Sequence, residues 1–147
     1  MKTMDISRYI PQYRHPRPDL FTGGQPDAPA WPQLAKAGVR TVVNLRPVAE
    51  MAGRNEAAEV ASAGLTYVNV PIGGPDNLGR DEVAALWSAL ESSPGPVLVH
   101  CGTGNRCGAL LALAEAWHRG STPDEALAFG QRAGLSSLEP AVRTILC

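Results

Sequence analysis

Chemistry is concentrated in VLVHCGTGNRCG, from Val97 to Gly108. Cys101 closes a short apolar run. Gly102, Thr103, Gly104 and Asn105 follow it, then Arg106 and a second cysteine, Cys107, before an Ala/Leu-rich stretch begins. A thiolate is a strong nucleophile, and the positive end of a helix favours its formation. Glycines let backbone N–H groups approach a bound anion, and the free N–H groups of a following helix face the same loop. Arg106 adds a planar pair of donors for an oxyanion held over the sulfur. The parts agree on thiolate attack on an anionic substrate gripped by amides and a guanidinium. The bland alternative is a strand-end cysteine in the core and a helix-surface arginine.

Such a loop needs a strand before it and a helix after it, and the pattern supplies both. Residues 96–100, PVLVH, read as a strand, and 105–118 as an Ala/Leu-rich helix. Two further β-branched runs, VRTVVNLR at 39–46 and LTYVNVPI at 65–72, read as strands. Helical patterns cover 28–36, 54–63, 82–92, 123–134 and 138–147, while six prolines between Pro11 and Pro32 make the first part irregular as far as LFTGG at 20–24. Strands alternating with helices give an α/β layer fold with a mostly parallel sheet and right-handed crossovers. Ligands of such sheets sit outside the carboxyl ends of the strands, where Cys101 falls.

The 147 residues are one domain's worth of chain. Hydrophobic residues make up 44% and charged residues 18%, with Lys+Arg 13 against Asp+Glu 14, an ordinary soluble composition. No basic field argues for nucleic acid, and no apolar run suits a membrane span or a signal peptide. Three cysteines are an odd count that outlines no disulfide framework, so the expected location is the cytoplasm. His15 and His118 have no metal-ligand spacing with the cysteines, and no nucleotide motif is present. No metal or cofactor is expected.

HCGTGNR, together with FTGGQPD at 21–27, GVRTVVNLRP at 38–47 and YVNVPIGG at 67–74, resembles the cysteine-dependent phosphatases of the compact dual-specificity type. The wider resemblance, over 20–118, is to the bacterial phosphatase-like family that also occurs as a domain of beta-lactamase-hydrolase-like proteins. It implies a three-layer cysteine-phosphatase-like fold with four or five strands in a central sheet flanked by helices. The whole chain would form one such domain, with a helical part at 122–147. It also implies that His100 orders the loop by hydrogen bonding, and that an acid lies upstream of the cysteine, about where Asp76 stands. Asp76 has the alternative of a turn aspartate, and Asp81 reads as a helix cap.

Two departures from that resemblance concern the reaction. Phosphatases of this class usually place five residues between cysteine and arginine, whereas four stand here, a spacing that resembles the cradle of rhodaneses. A shorter loop closes on a smaller radius and would suit a terminal persulfide sulfur better than a phosphate. Cys107 stands where these phosphatases usually carry a hydroxyl residue, and a second thiol could accept a sulfur, resolve the first as a disulfide, or simply pack. The first expectation is therefore sulfur transfer through a Cys101 persulfide, from a small anionic donor such as thiosulfate to an acceptor thiol. The alternative is hydrolysis of a phosphorylated substrate through a phosphocysteine, with Arg106 as clamp and Asp76 as acid. A non-catalytic anion-binding or thiol-redox module is the third. Thr103 and Asn105 could order the loop or face solvent. Arg46, at a strand's carboxyl end, could line the pocket or pair with Glu50, and Asn44 and Gln25 are weaker versions of that case.

Overall fold

The computed structural model describes residues 5–147. Met1–Met4, which belong to the opening stretch read as lacking a leader, lie outside the described residues. Five strands form one sheet in the order β1-β2-β5-β3-β4. β2 (Leu20–Gly23), β5 (Val97–His100), β3 (Thr41–Asn44) and β4 (Thr66–Asn69) run parallel, and β1 (Arg14–Arg17) pairs antiparallel with β2 at the edge.

The central strands are apolar on both sides because helices cover both faces. Alternation along the strand sends Val42 and Leu98 to one face, where α1 (Ala30–Lys36) and α2 (Glu56–Ser62) bring Trp31, Leu34 and Val60. Val43, Val97 and Val99 point to the other, against α3 (Arg80–Ser92), α4 (Asn105–His118), α5 (Pro123–Arg132) and α6 (Glu139–Leu146). Fully burying one such Leu or Val contributes about 1.5–3 kcal/mol, so two continuous clusters hold the layers together.

Sequence and structure differ at two points. The proline-rich start is a hairpin, not irregular chain: Pro16 lies within β1, whose outer edge needs no N–H donor there. Asp81 does not cap α3. The N-cap is Gly79, and Asp81 lies exposed in the first turn.

β5 lies between β2 and β3, with His100 level with Gly23 and Asn44. The Cys101 N–H donates to the Gly23 carbonyl (3.1 Å) and the Leu45 N–H to the His100 carbonyl (2.9 Å). The chain therefore leaves the middle of the sheet at Cys101, walled by the ends of β2 and β3.

Candidate active site

Cys101 is 1% exposed and closes a loop onto α4. Gly104, the N-cap of α4, has φ 101°, a left-handed conformation that favours glycine, and its N–H donates to the Cys101 sulfur at 3.0 Å. Gly102 has no such backbone requirement. Its lack of a side chain matters because a Cβ there would meet Arg106 Nη2 at 3.3 Å. Gly24 of the second motif packs against the same loop, since a Cβ on it would lie 2.7 Å from the Gly102 carbonyl.

These surroundings hold the Cys101 thiol down from 9.0 to about 4. The chief cause is a hydrogen bond from the Cys107 S–H. Burial opposes it, and the backbone N–H groups of Cys107, Thr103 and Gly104 add to it. Cys107 is fully buried, and burial together with the Cys101 thiolate pushes its own thiol well above 9.0. Its sulfur also lies 3.4 Å from the Val99 carbonyl and 3.9 Å from that of Gly23. A charged acceptor outcompetes a neutral one, so an ionised Cys101 takes the proton. The three cysteines are all free.

Asn105 and Arg106 are already helical, so the guanidinium returns toward the loop from the first turn of α4. Its Nη1 donates to the Ile72 carbonyl and to Glu50 Oε2, both at 3.0 Å. Asn105 fastens the loop from outside: Oδ1 accepts from the Ser136 N–H (2.9 Å) and the Leu138 N–H (3.2 Å), and Nδ2 donates to Ser137 Oγ (2.7 Å). Thr103 is exposed.

Arg46 forms the pair with Glu50, from Nε to Oε1 at 3.4 Å and from Nη2 to the Glu50 carbonyl at 2.7 Å. His100 is fully buried, its Nε2 sits 2.6 Å from Glu56 Oε2, and the Trp31 ring, tilted by 40°, has its centroid 6.0 Å from that of the imidazole. Glu56, absent from the sequence-based set, carried one signal: it precedes the buried Val60 by one helical turn, on the same face of α2. Asp76 lies in a 3-10 turn, Pro75–Asn77, exposed and just past the Ile72 carbonyl that Arg106 grips. Among the described residues, no group of three or more His, Cys, Asp or Glu could hold a metal ion, and no helix is long and apolar enough to cross a membrane.

A nucleophilic cysteine at the end of the central parallel strand, with an arginine in the first turn of the next helix, defines a cysteine-nucleophile enzyme of the phosphatase type. Residues 12–118 match the family described as Beta-lactamase hydrolase-like protein, phosphatase-like domain, and the chain belongs to that family. A Beta-lactamase hydrolase-like protein of Xylella fastidiosa is 34% identical over 119 residues, covering 78% of this chain and 27% of its own. The chain thus spans about a quarter of the length of that relative. Among solved structures, a candidate phosphatase of Neisseria meningitidis has a TM-score of 0.74 at 25% identity, over 92% of this chain and 96% of that one. Pseudomonas aeruginosa TpbA, a cysteine-to-serine form in complex with pTyr, has a TM-score of 0.70 at 22% identity, over 97% and 85%.

The expectation of sulfur transfer is corrected by these findings. It rested on the four-residue spacer and on Cys107, but the family and the similar structures are phosphatase-like. Nothing in the loop supports a rhodanese-like cradle. The arginine's reach is set by the start of α4 at Asn105, and Cys107 is buried in the interior, away from solvent.

Proposed function

We propose that this chain hydrolyses phosphate monoesters through a phosphocysteine on Cys101. The observation that carries this reading is the geometry of Cys101, whose sulfur sits at the amino end of α4, 3.0 Å from the Gly104 N–H, with Arg106 in the helix's first turn; these surroundings favour its thiolate. The sulfur attacks phosphorus while the ester oxygen departs opposite to it. N–H groups of the Gly102–Asn105 loop and the Arg106 guanidinium take the phosphoryl oxygens, whose charge grows in the transition state. Glu50 and the Ile72 carbonyl occupy Nη1 of Arg106 and leave Nη2, which lies beside Gly102, to reach the phosphoryl group.

Asp76 is the proposed general acid, protonating the leaving alkoxide and then taking a proton from the water that cleaves the S–P bond. Its place just past the residue that Arg106 grips supports this assignment over Asp81, which is built into α3. The likeness to TpbA, whose structure holds pTyr, supports an aryl phosphomonoester such as phosphotyrosine as the substrate.

The test is hydrolysis of an aryl phosphate by the chain and by Cys101→Ser, with acid-quench trapping of a protein-bound phosphate. Turnover that needs Cys101, with a trapped thiophosphate ester, is expected. Equal turnover by the serine variant would refute the covalent mechanism.

A further inference from the structure

A chain of side-chain hydrogen bonds runs from beneath the nucleophile to the arginine beside it. The His100 ring stands against the Cys101 backbone, with Nδ1 3.4 Å from the Cys101 carbonyl. Nε2 of the same ring donates to Glu56 Oε2 at 2.6 Å, since a carboxylate only accepts. Gln25 Nε2 donates to Glu56 Oε1 (2.7 Å), and also to the Pro26 carbonyl (3.0 Å). Gln25 Oε1 accepts from Arg46 Nη1 at 2.9 Å. Arg46 holds Glu50 by its carbonyl and carboxylate, and Glu50 Oε2 holds Arg106 Nη1 at 3.0 Å. Cys101 and Arg106, the two ends of the loop, are thus tied to one another through residues from four other segments.

We infer that Glu56 is a positioning residue of this site, fixing the Cys101 backbone through His100 and the Arg106 guanidinium through Gln25, Arg46 and Glu50. The inference rests on the phosphatase reading only for its kinetic readout. Donor–acceptor polarity makes Glu56 specific. Arg46 only donates, so Gln25 must turn its oxygen to Arg46 and its NH2 to Glu56. Glu56 must therefore accept from both sides, and a carboxylate does that where an amide does not. α2 supplies the placement: Asn55 caps the helix by accepting from the Ala58 N–H at 3.1 Å, which sets Glu56 as its first residue, 2% exposed. A buried carboxylate with two satisfied oxygens is costly to assemble, and among the described residues no buried side-chain polar atom lacks a partner.

The polarity yields a test by exchange. Glu56→Gln leaves either His100 or Gln25 facing a donor. The double variant Glu56→Gln/Gln25→Glu restores every donor to an acceptor, with the carboxylate moved one link along. On an aryl phosphate, Glu56→Gln should lower kcat by roughly tenfold or more with KM within about twofold, since small misplacement of reacting groups costs rate. The double variant should recover most of that loss. Glu59→Gln, on the same helix but bound to Arg54 and Trp31, should retain the original kcat. Unchanged kcat in Glu56→Gln, no recovery in the double variant, or an equal loss in Glu59→Gln would each overturn the inference.

Should Glu56→Gln fail to fold, Gln25→Met breaks the middle link at a half-buried position. The same kcat loss is expected there, and full activity would overturn the inference. Iodoacetamide alkylation of Cys101 separates the two readings. Without phosphate turnover in the unmodified protein, slow alkylation in the single variant and recovery in the double would refute phosphatase activity and leave the positioning role standing. Equal alkylation rates would refute the positioning role.

Discussion

Replacing Cys107 by alanine tests the electrostatics of the nucleophile directly. The Cys107 S–H is the largest of the influences that hold the Cys101 thiol at about 4, while N–H groups of Cys107, Thr103 and Gly104 remain when that side chain is cut back. A hydrogen bond to a charged group contributes about 1.5–3 kcal/mol, and one pKa unit corresponds to about 1.4 kcal/mol. Cys107→Ala should therefore raise the Cys101 midpoint by about 1–2 units, into the range of roughly 5–6. Cys107→Ser, which keeps a donor, should stay within about one unit of the parent. Cys107 is wholly buried, so the alanine variant also loses packing, at about 1–2 kcal/mol, which a folded domain tolerates.

The assay is the pH dependence of iodoacetamide alkylation at Cys101, followed by intact mass in a Cys147→Ser background. Activity at pH 7 is a poor readout, because a thiol titrating near 6 is still about nine-tenths ionised there. At pH 5 the alanine variant should be about half to nine-tenths protonated and correspondingly slow, while the parent stays about nine-tenths ionised. An unchanged alkylation midpoint in Cys107→Ala would refute the reasoning. It would mean that the S–H points to the Val99 carbonyl at 3.4 Å even when Cys101 is ionised.

Further expectations concern stability, proton transfer and packing. A thiol lowered from 9.0 to about 4 on folding binds a proton in the unfolded chain but not in the folded one throughout that window. Its contribution to stability is fully present above pH 9, shrinks as pH falls and is lost by about 4. Urea denaturation at pH 5 and pH 8 should show a steeper rise in stability with pH for the parent than for Cys101→Ala, and equal slopes would contradict the lowered thiol. Asp76→Asn should lower kcat on an alkyl phosphate by about 10²–10⁴-fold and much less on an aryl phosphate with a good leaving group. The same pattern in Asp81→Asn, with Asp76→Asn unaffected, would move the acid role. Gly108→Ala should destabilise the chain by about 3 kcal/mol or more in thermal denaturation. A Cβ there would strike the backbone N of Leu135 and lie 2.5 Å from the Gly130 carbonyl, where α4 meets α5. Wild-type stability would show that these helices separate freely.

Much of the architecture was legible because it follows from periodicity. The Ala/Leu run that became α4 matched the predicted 105–118 at both ends, and the three predicted strand runs became β3, β4 and β5, shorter at their margins. The hairpin at the start was not legible. Four residues of RHPR carry no alternation of apolar and polar groups, and their strand character comes from pairing with β2. The helix cap read at Asp81 failed because the chain turns into α3 through Gly79, which needs no side-chain cap to adopt its extended backbone.

The site divides along the same physical line. Cys101, Arg106 and the glycines could be read because their types and spacing constrain local chemistry. Glu56 could not, because its partners come from residues far away in sequence, and a glutamate behind an N-capping asparagine is what any helix start looks like. The spacing of Cys101 and Arg106 misled for a related reason. Counting residues assumes that each adds to the circumference of the loop, whereas Asn105 and Arg106 belong to the first turn of α4 and are drawn inward by it. What the guanidinium reaches depends on the helix and on its anchors, Glu50 from the turn after β3 and the Ile72 carbonyl after β4. Loop length therefore does not separate phosphorus from sulfur chemistry in this chain; the phosphatase-like family does, and the burial of Cys107 agrees with it. A thiol turned into the core, with the Cys101 thiolate and two backbone carbonyls as its acceptors, is placed to donate a hydrogen bond and not to carry a sulfur atom to solvent.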